Sequence, residues 1–368
     1  MGIKSIGIKS IGIKSMGIKN MKHNKIFRLA AVASLSLLVV LSGCSKQAGE
    51  EKQQSVELRL AHFFPVTHPA ETELIQPWAK EINAATGGKV KITSYPGESL
   101  LPSAQIYEGV VSKIADIGLS CFSYTRGRFP VLEVFELPGI IYPSSEVASR
   151  IAWEGIKQLN PQEIQDTKLL MVLTTGSGDL FTKKEVKTLA DMRGLEIRAT
   201  GLSAKTLQAL GAVPVAMPQS EAYEALSKGT VKGNLGPVEI LKGWKQAEVT
   251  EYLIKTPFLY NTLFFVTMNL DTWNSLDAQT QKTIEDVSET YFNNVACGLW
   301  DKQNEEAWQY ALGEGMKEVT LSQEEADQWI KLVQPIQEEY VAAINKQGLD
   351  GRKILDTVKA LAEKYTKK

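Results

Sequence analysis

The chain has 368 residues, with 41 Lys and Arg against 42 Asp and Glu interleaved along it, so its net charge is close to zero. No basic patch or tail is present to hold nucleic acid, so that class of partner is set aside. The length after the leader is enough for two domains of ordinary size.

The first twenty residues repeat a five-residue unit that can bury nothing, and they read as an upstream start taken too early. Met21 then opens a conventional secretion signal. Lys22, Lys25 and Arg28 form its positive end, and Leu29 to Leu41 form an apolar run. The run is shorter than the roughly 20 apolar residues a membrane-spanning helix needs. It ends in Leu41-Ser42-Gly43-Cys44, small residues before a cysteine, the pattern a lipoprotein signal peptidase recognises. Residues 1–43 are thus expected to be removed and Cys44 acylated, each buried methylene contributing about 0.8 kcal/mol to anchoring in the bilayer. Residues 44–55 are polar, without apolar periodicity, and read as a flexible tether. Localisation is therefore expected to be extracytoplasmic, lipid-anchored at the outer face of the cytoplasmic membrane or in the periplasm.

From Val56 onward strand and helix signals alternate. Val56–Leu60 alternates with period two, as a half-buried strand does. Pro69–Ala85 reads as a helix with Pro near its start and Gly87-Gly88 closing it. Strand Val90–Thr93, helix Ser103–Lys113, strand Ala115–Ser120, helix Ser144–Leu159 and strand Leu169–Leu173 follow. The rhythm continues as strand Glu196–Ala199, helix Ser203–Leu210, strand Val213–Ala216, helix Glu221–Lys228, strand Val231–Leu235 and helix Val238–Gln246. Such alternation predicts α/β domains with largely parallel sheets. The last third differs. Leu263–Met268 is a near-continuous apolar strand, and Asp277 to about Leu312 is one helical pattern without Pro. At 1.5 Å per residue that helix spans about 50 Å, long enough to lie across two domains. Ser322 with Glu325 reads as a capping box, and Lys353–Tyr365 as a final amphipathic helix.

A search for chemistry is mostly negative. Beyond the leader the histidines are His62 and His68, neither with a partner at metal-site spacing, so no metal and no cofactor is expected. The nucleophile elbow, the C-x-x-C motif, the phosphate loop and the dinucleotide fingerprint are all missing, and catalytic residues are not assigned. Cys121 and Cys297 sit in apolar stretches and read as buried thiols, although export would permit a disulfide. A tethered, two-lobed α/β protein without catalytic motifs suits a solute receptor, because ligands of open α/β sheets bind beyond the carboxyl ends of the strands. Two such ends facing each other make a cleft that closes around a small molecule.

Four segments carry a specific likeness: residues 58–100 (beginning LRLAHFFPVTHP), 111–142 (VSKIADIGLSCFSY), 187–237 (KTLADMRGLEIRATG) and 263–287 (LFFVTMNLDTW). In this order they resemble the solute-binding proteins of tripartite ATP-independent periplasmic (TRAP) transporters, the DctP family. The resemblance implies a two-lobed periplasmic-binding-protein-like α/β fold with crossing strands and a long helix spanning both lobes. It also implies a small organic carboxylate as ligand and TRAP membrane permease subunits as partners. On that frame residues 56–173 with about 263–300 form one lobe and 174–262 with about 301–335 the other, and 336–368 are C-terminal helices.

The resemblance places Arg198 against the ligand carboxylate, a role that suits a planar, permanently charged guanidinium. Other candidates follow from strand ends facing the cleft. His62, Phe63 and Phe64 follow the first strand and either contact ligand or cap the core. Ser123 and Tyr124 follow the strand that ends at Ser120, with Tyr124 the better placed. Gly178 and Asp179 resemble a turn near the ligand, and Met217, Asn234 and Gly236 end strands of the second lobe. Only one of Phe264 and Phe265 can face the cleft, and Phe264 is taken. Trp244 lines the cleft or belongs to the core. Departures from the family narrow the ligand. Lys232 to Pro237 replaces a more acidic segment, and the Gly176–Phe181 turn carries no second arginine. Fewer fixed charges favour a monocarboxylate with an apolar or aromatic body over a dicarboxylate. The rival readings are a receptor for an ABC importer or a sensor kinase and, further off, a lipid-anchored hydrolase.

Overall fold

A computed structural model describes residues 55–366. The secretion signal, Cys44 and most of the tether lie outside the described residues.

Among the described residues eleven strands form two sheets. β1 (Val56–His62), β2 (Val90–Tyr95), β3 (Ile117–Cys121), β4 (Thr167–Thr174) and β10 (Leu263–Asn269) make the first, in the order β2-β1-β3-β10-β4. β5 (Asp179–Thr182), β6 (Glu196–Ala199), β7 (Val213–Ala216), β8 (Gly233–Gly236), β9 (Tyr252–Lys255) and β11 (Lys317–Thr320) make the second, in the order β11-β9-β5-β8-β6-β7. The chain therefore passes from the first sheet to the second between β4 and β5, and returns between β9 and β10.

Those crossings correct the expectation of largely parallel sheets. β1 pairs in parallel with β2 and β3, and β6 with β7 and β8. The crossing strands run the other way: β10 is antiparallel to β3 and β4, and β5 to β8 and β9. A strand that returns from the far lobe enters its sheet from the opposite end, so it cannot extend the parallel ladder. Every residue of β10 is buried, which matches its unbroken apolar run and its central place.

Several helices end where the sequence places them, at Ala85, Leu159 and Lys228, but others differ in form or extent. The helix after β1 opens as a π segment, Ala70–Ile75, before regular α-helix at Gln76–Ala85. The expected helix Val238–Gln246 is a single turn, Ile240–Gly243, because Lys245 turns left-handed at φ 57° and a 3₁₀ turn follows. The long helical pattern is also interrupted. It runs as α-helix over Ala278–Tyr291, as a π segment over Phe292–Ala296, and resumes at Leu299–Gly313 after Gly298. The two halves nevertheless serve both lobes. The first packs on Gln76–Ala85, and the second on Ser145–Leu159 and on Ile240–Gly243. Ala307 and Ala311 there join a separate apolar cluster with Phe181, Leu241 and Leu253 of the second lobe.

The capping box at Ser322 is half made. Ser322 Oγ accepts the Glu325 N–H at 3.2 Å, but the Glu325 carboxylate is drawn away to the Leu189 N–H at 2.9 Å and to the Trp329 indole. Cys121 and Cys297 are both free and buried. The final helix, Gly351–Thr366, packs on Ser145–Leu159 and so against the first sheet's lobe.

Candidate functional site

The strand ends of the two sheets meet at a narrow cavity. The first lobe supplies Phe63 and Phe64 just after β1, Tyr124 after β3, and Phe264 at the start of β10. The second supplies Arg198 on β6, Gln219 after β7, and Glu239, Ile240 and Trp244 after β8. Parallel strands of each lobe end at the cavity, so their last side chains and the following loops converge there.

Arg198 is the centre of the site. Its side chain is buried, at 2% exposure. Nε donates to the Met217 carbonyl at 3.0 Å, and Nη1 and Nη2 lie 3.5 Å from Asn234 Oδ1 and 3.4 Å from the Tyr124 hydroxyl. All three partners are neutral. Among the described residues no carboxylate pairs with this guanidinium, and the buried carboxylates Asp116, Glu71 and Glu239 are each bonded to a different partner. A guanidinium cannot shed its charge by deprotonation, so the buried cation lacks its counter-charge.

Tyr124 bridges the lobes. Its hydroxyl accepts the Gln219 backbone N–H at 3.0 Å and an N–H of Arg198, and it also lies within bonding reach of the Cys121 thiol. Burial, reinforced by Cys121 and opposed by Arg198, pushes the Tyr124 hydroxyl well above the usual phenol range, so it stays a donor. A second bridge joins His68 of the first lobe to Glu239 of the second. His68 Nδ1 accepts the Ala70 N–H at 3.0 Å, so Nε2 carries the proton and donates to Glu239 Oε2 at 3.1 Å. Both residues are buried, and these contacts place the lobes in a closed arrangement.

The walls between these polar groups are aromatic. Phe63 stacks on Phe64 at 4.2 Å between centroids and lies 6.4 Å from Phe264 and 6.0 Å from Trp244. Phe264 is the member of its pair that faces the cavity, whereas Phe265 turns into the core against Tyr107 and Phe122. Trp244, which the sequence left between cleft and core, lines the cavity.

The remaining sequence candidates sit elsewhere. His62 is fully buried behind the site, where Nε2 meets Glu71 Oε2 at 2.8 Å and Ser94 at 3.1 Å. Asn234 does not reach the cavity but stands behind Arg198, its amide held by Gln246 Oε1 at 2.9 Å and Gln219 Oε1 at 3.3 Å. Gly178 and Gly236 pack backbone on backbone: a Cβ at Gly178 would lie 2.6 Å from the Gly236 carbonyl oxygen. Asp179 accepts the Thr256 N–H at 2.6 Å, a structural bond at the crossing. Ser123 and Met217 line an adjoining surface cleft beside Tyr124 rather than the cavity. The sequence missed Gln219, Glu239, Tyr260 and Thr262. Gln219 and Glu239 lie just after Pro218 and Pro237 at strand ends, a signal that was readable; Tyr260 and Thr262 come from the return crossing, which had none.

Two α/β lobes joined by crossing strands and closed over a small cavity are the architecture of a periplasmic-type binding protein. The chain belongs to the bacterial extracellular solute-binding proteins, family 7 (DctP), whose model matches residues 60–343. These are the solute receptors of TRAP transporters, and the family is one of binding proteins rather than enzymes. A TRAP solute-binding protein from Rhodoferax ferrireducens, solved with copurified benzoate, is 29% identical. It superposes with a TM-score of 0.80 over 85% of this chain and 99% of that one. A marine metagenome TRAP solute-binding protein specific for aromatic acid ligands, solved with 3-hydroxybenzoate, is 30% identical. Its TM-score is 0.80 over 85% of this chain and 99% of that one. A monocarboxylate 2-oxoacid-binding periplasmic protein of Nostoc is 26% identical over 83% of this chain and 85% of its own length. No helix among the described residues is long and apolar enough to cross a membrane.

Proposed function

We propose that this protein is the lipid-anchored receptor of a TRAP transporter, and that it captures a small monocarboxylate with an apolar or aromatic body. The observation that carries the reading is Arg198, a fully buried cation whose bonds go only to neutral groups. A ligand carboxylate supplies the missing charge, taking bidentate bonds from the guanidinium and one from the Tyr124 hydroxyl. Phe63, Phe264 and Trp244 then cover the rest of the molecule. The aromatic and monocarboxylic acids bound by the relatives support this choice of body.

The cycle is capture and delivery. Arg198 belongs to one lobe and the phenylalanines to the other, so only the closed form makes both sets of contacts, and ligand shifts the population toward closure. The closed protein then docks on the membrane permease. Cys44, acylated after removal of residues 1–43, and the polar tether to residue 55 keep the receptor beside that permease and raise the encounter rate.

Mass spectrometry of the small molecule that copurifies with protein expressed from Cys44 onward tests the ligand class. A monocarboxylic acid recovered unchanged is expected. A dicarboxylate such as succinate, or a ligand with no carboxyl group, would sink the reading. Radiolabelled fatty acid incorporated by the wild type and lost in Cys44→Ser tests the anchor.

A further inference from the structure

Closure makes one buried bond between the lobes that does not pass through Arg198. His68 of the first lobe and Glu239 of the second are 1% and 3% exposed, and His68 Nε2 donates to Glu239 Oε2 at 3.1 Å. The bonds of Arg198 go instead to Met217, Asn234 and Tyr124. Glu239 lines both the ligand cavity and an outer groove shared with the exposed Lys242 and Glu306. His68 and Gly243 line the groove and not the cavity.

Each half is set in place by its own surroundings. His68 Nδ1 takes the Ala70 N–H at 3.0 Å, and the ring stacks on Phe64 at 4.6 Å between centroids. Glu239 donates its backbone N–H to Asn304 Oδ1 at 2.9 Å, and its carbonyl receives the Gly243 N–H at 2.8 Å. A donor oriented beforehand loses little rotamer freedom on meeting its acceptor, so more of the bond's free energy goes to the closed state. Opening parts the two residues.

Gly243 gives the bond its room. It ends the single helical turn after β8, and its φ is outside the left-handed region, so the backbone does not require glycine there. A Cβ would nevertheless lie 2.8 Å from Glu239 Oε2 and 3.1 Å from His68 Nε2, the two atoms that bond. Glycine serves the close approach and not a turn.

We infer that His68 and Glu239, with Gly243 giving them room, form a latch that holds the lobes shut whichever acid is inside. A ligand held only by the closed form gains from anything that populates that form. A hydrogen bond to a carboxylate shifts that population about ten- to a hundredfold. The latch therefore multiplies every ligand's affinity by the same factor and slows its escape. The inference rests on capture by lobe closure, but not on the role of Arg198 or on the ligand class.

Calorimetry and stopped-flow release of benzoate and 3-hydroxybenzoate test this in wild type, His68→Ala, Gly243→Ala and the double variant. Each single variant should bind both acids about ten- to a hundredfold more weakly, with the ratio between the acids kept within about twofold. Faster release should carry most of the loss. Because both substitutions act on one bond, the double variant should be no weaker than the poorer single one, whereas unrelated packing defects would add. Gly243→Ala keeps both bonding groups and asks only the end of the Glu239 side chain to give way, so it serves even if His68→Ala folds poorly. Wild-type affinity and release in Gly243→Ala overturn the latch. So do additive losses, or a loss confined to one acid, which would make these residues ligand contacts. If wild type binds neither acid, the ligand class proposed above fails, and the same measurements on the copurified acid decide the latch by the same outcomes.

Discussion

Three buried ionisable groups near the cleft solve the same problem in three ways. Glu71, behind the site, is fully partnered: His62, Ser94 and Gln76 all bond its carboxylate, at 2.8, 2.8 and 2.9 Å. Burial alone would raise its pKa, yet these bonds outweigh burial and hold it below the usual carboxylate range. Glu136, between the lobes, has too few partners and takes the other route. Burial, against a bond from the Leu263 N–H, raises it to about 8, so it is protonated at neutral pH. Arg198 can do neither. Its neutral partners do not balance its charge, and a guanidinium does not deprotonate. A charge the fold completes is structural; a charge the fold leaves open in a cavity is what a ligand is recruited to complete.

The largest expected effect separates Arg198 from Glu71. Arg198→Ala should weaken binding of the copurified acid by a hundredfold to several thousandfold, corresponding to about 3–5 kcal/mol. Apo stability should fall little or rise, because an unbalanced buried charge is removed. Calorimetry and urea unfolding of the same preparation read both quantities, and unchanged affinity would refute the anchor role. Glu71→Gln should show the reverse pattern. Loss of charge-assisted bonds costs about 2–3 kcal/mol of stability at pH 7, with ligand affinity altered far less. Because the folded pKa of Glu71 is depressed, its stabilisation is present above the unfolded value near 4 and is lost as pH falls through the carboxylate range. The penalty of the Gln variant should therefore shrink at acid pH.

Glu136 titrates with the opposite sign. Its folded pKa is raised, so the folded state holds a proton that the unfolded chain releases above pH about 4.5. Stability from this residue is lost as pH rises toward 8, by at most about 1.4 kcal/mol per pH unit. Glu136→Gln keeps an acceptor for the Leu263 N–H and removes the titration. Its stability relative to wild type should thus improve by about 2 kcal/mol between pH 6 and 7.5. Parallel urea-unfolding profiles for the two proteins would show that Glu136 does not hold its proton.

These contrasts also mark how far the sequence could be read. Strong periodic elements were legible: β6 and β7 fall where alternation puts them, and Ser144 caps its helix by accepting the Val147 N–H. The four-residue strands β5, β9 and β11 were missed, since they owe their existence to neighbours in a sheet whose crossings no local pattern announces. The same limit applies to the site. Family likeness pointed to Arg198, but His62 and Asn234 follow or end strands much as Tyr124 does, and only the packing shows them turned away from the cavity. Completeness of hydrogen bonding, which separates Glu71 from Arg198, is a property of three-dimensional neighbours and has no sequence signal at all.

The smallest predicted effect probes closure itself. Gly201, after β6, comes close to the loop after β3 on the other lobe: a Cβ there would lie 2.8 Å from Ser123 Cβ and 3.3 Å from Glu136 Oε2. Gly201→Ala would therefore hold the lobes slightly apart without touching Arg198 or the aromatic walls. Its φ of 48° adds backbone strain of about 1 kcal/mol in any residue with a side chain. Gly194→Ala separates the two causes, because Gly194 has a similar φ of 69° and open space where the Cβ would go. Both variants should lose comparable stability in urea unfolding. Only Gly201→Ala should also lose ligand affinity, by about tenfold, corresponding to roughly 1.4 kcal/mol against the closed state. Equal affinities for the two variants would mean that the contact between Gly201 and Ser123 plays no part in closing the lobes over the ligand.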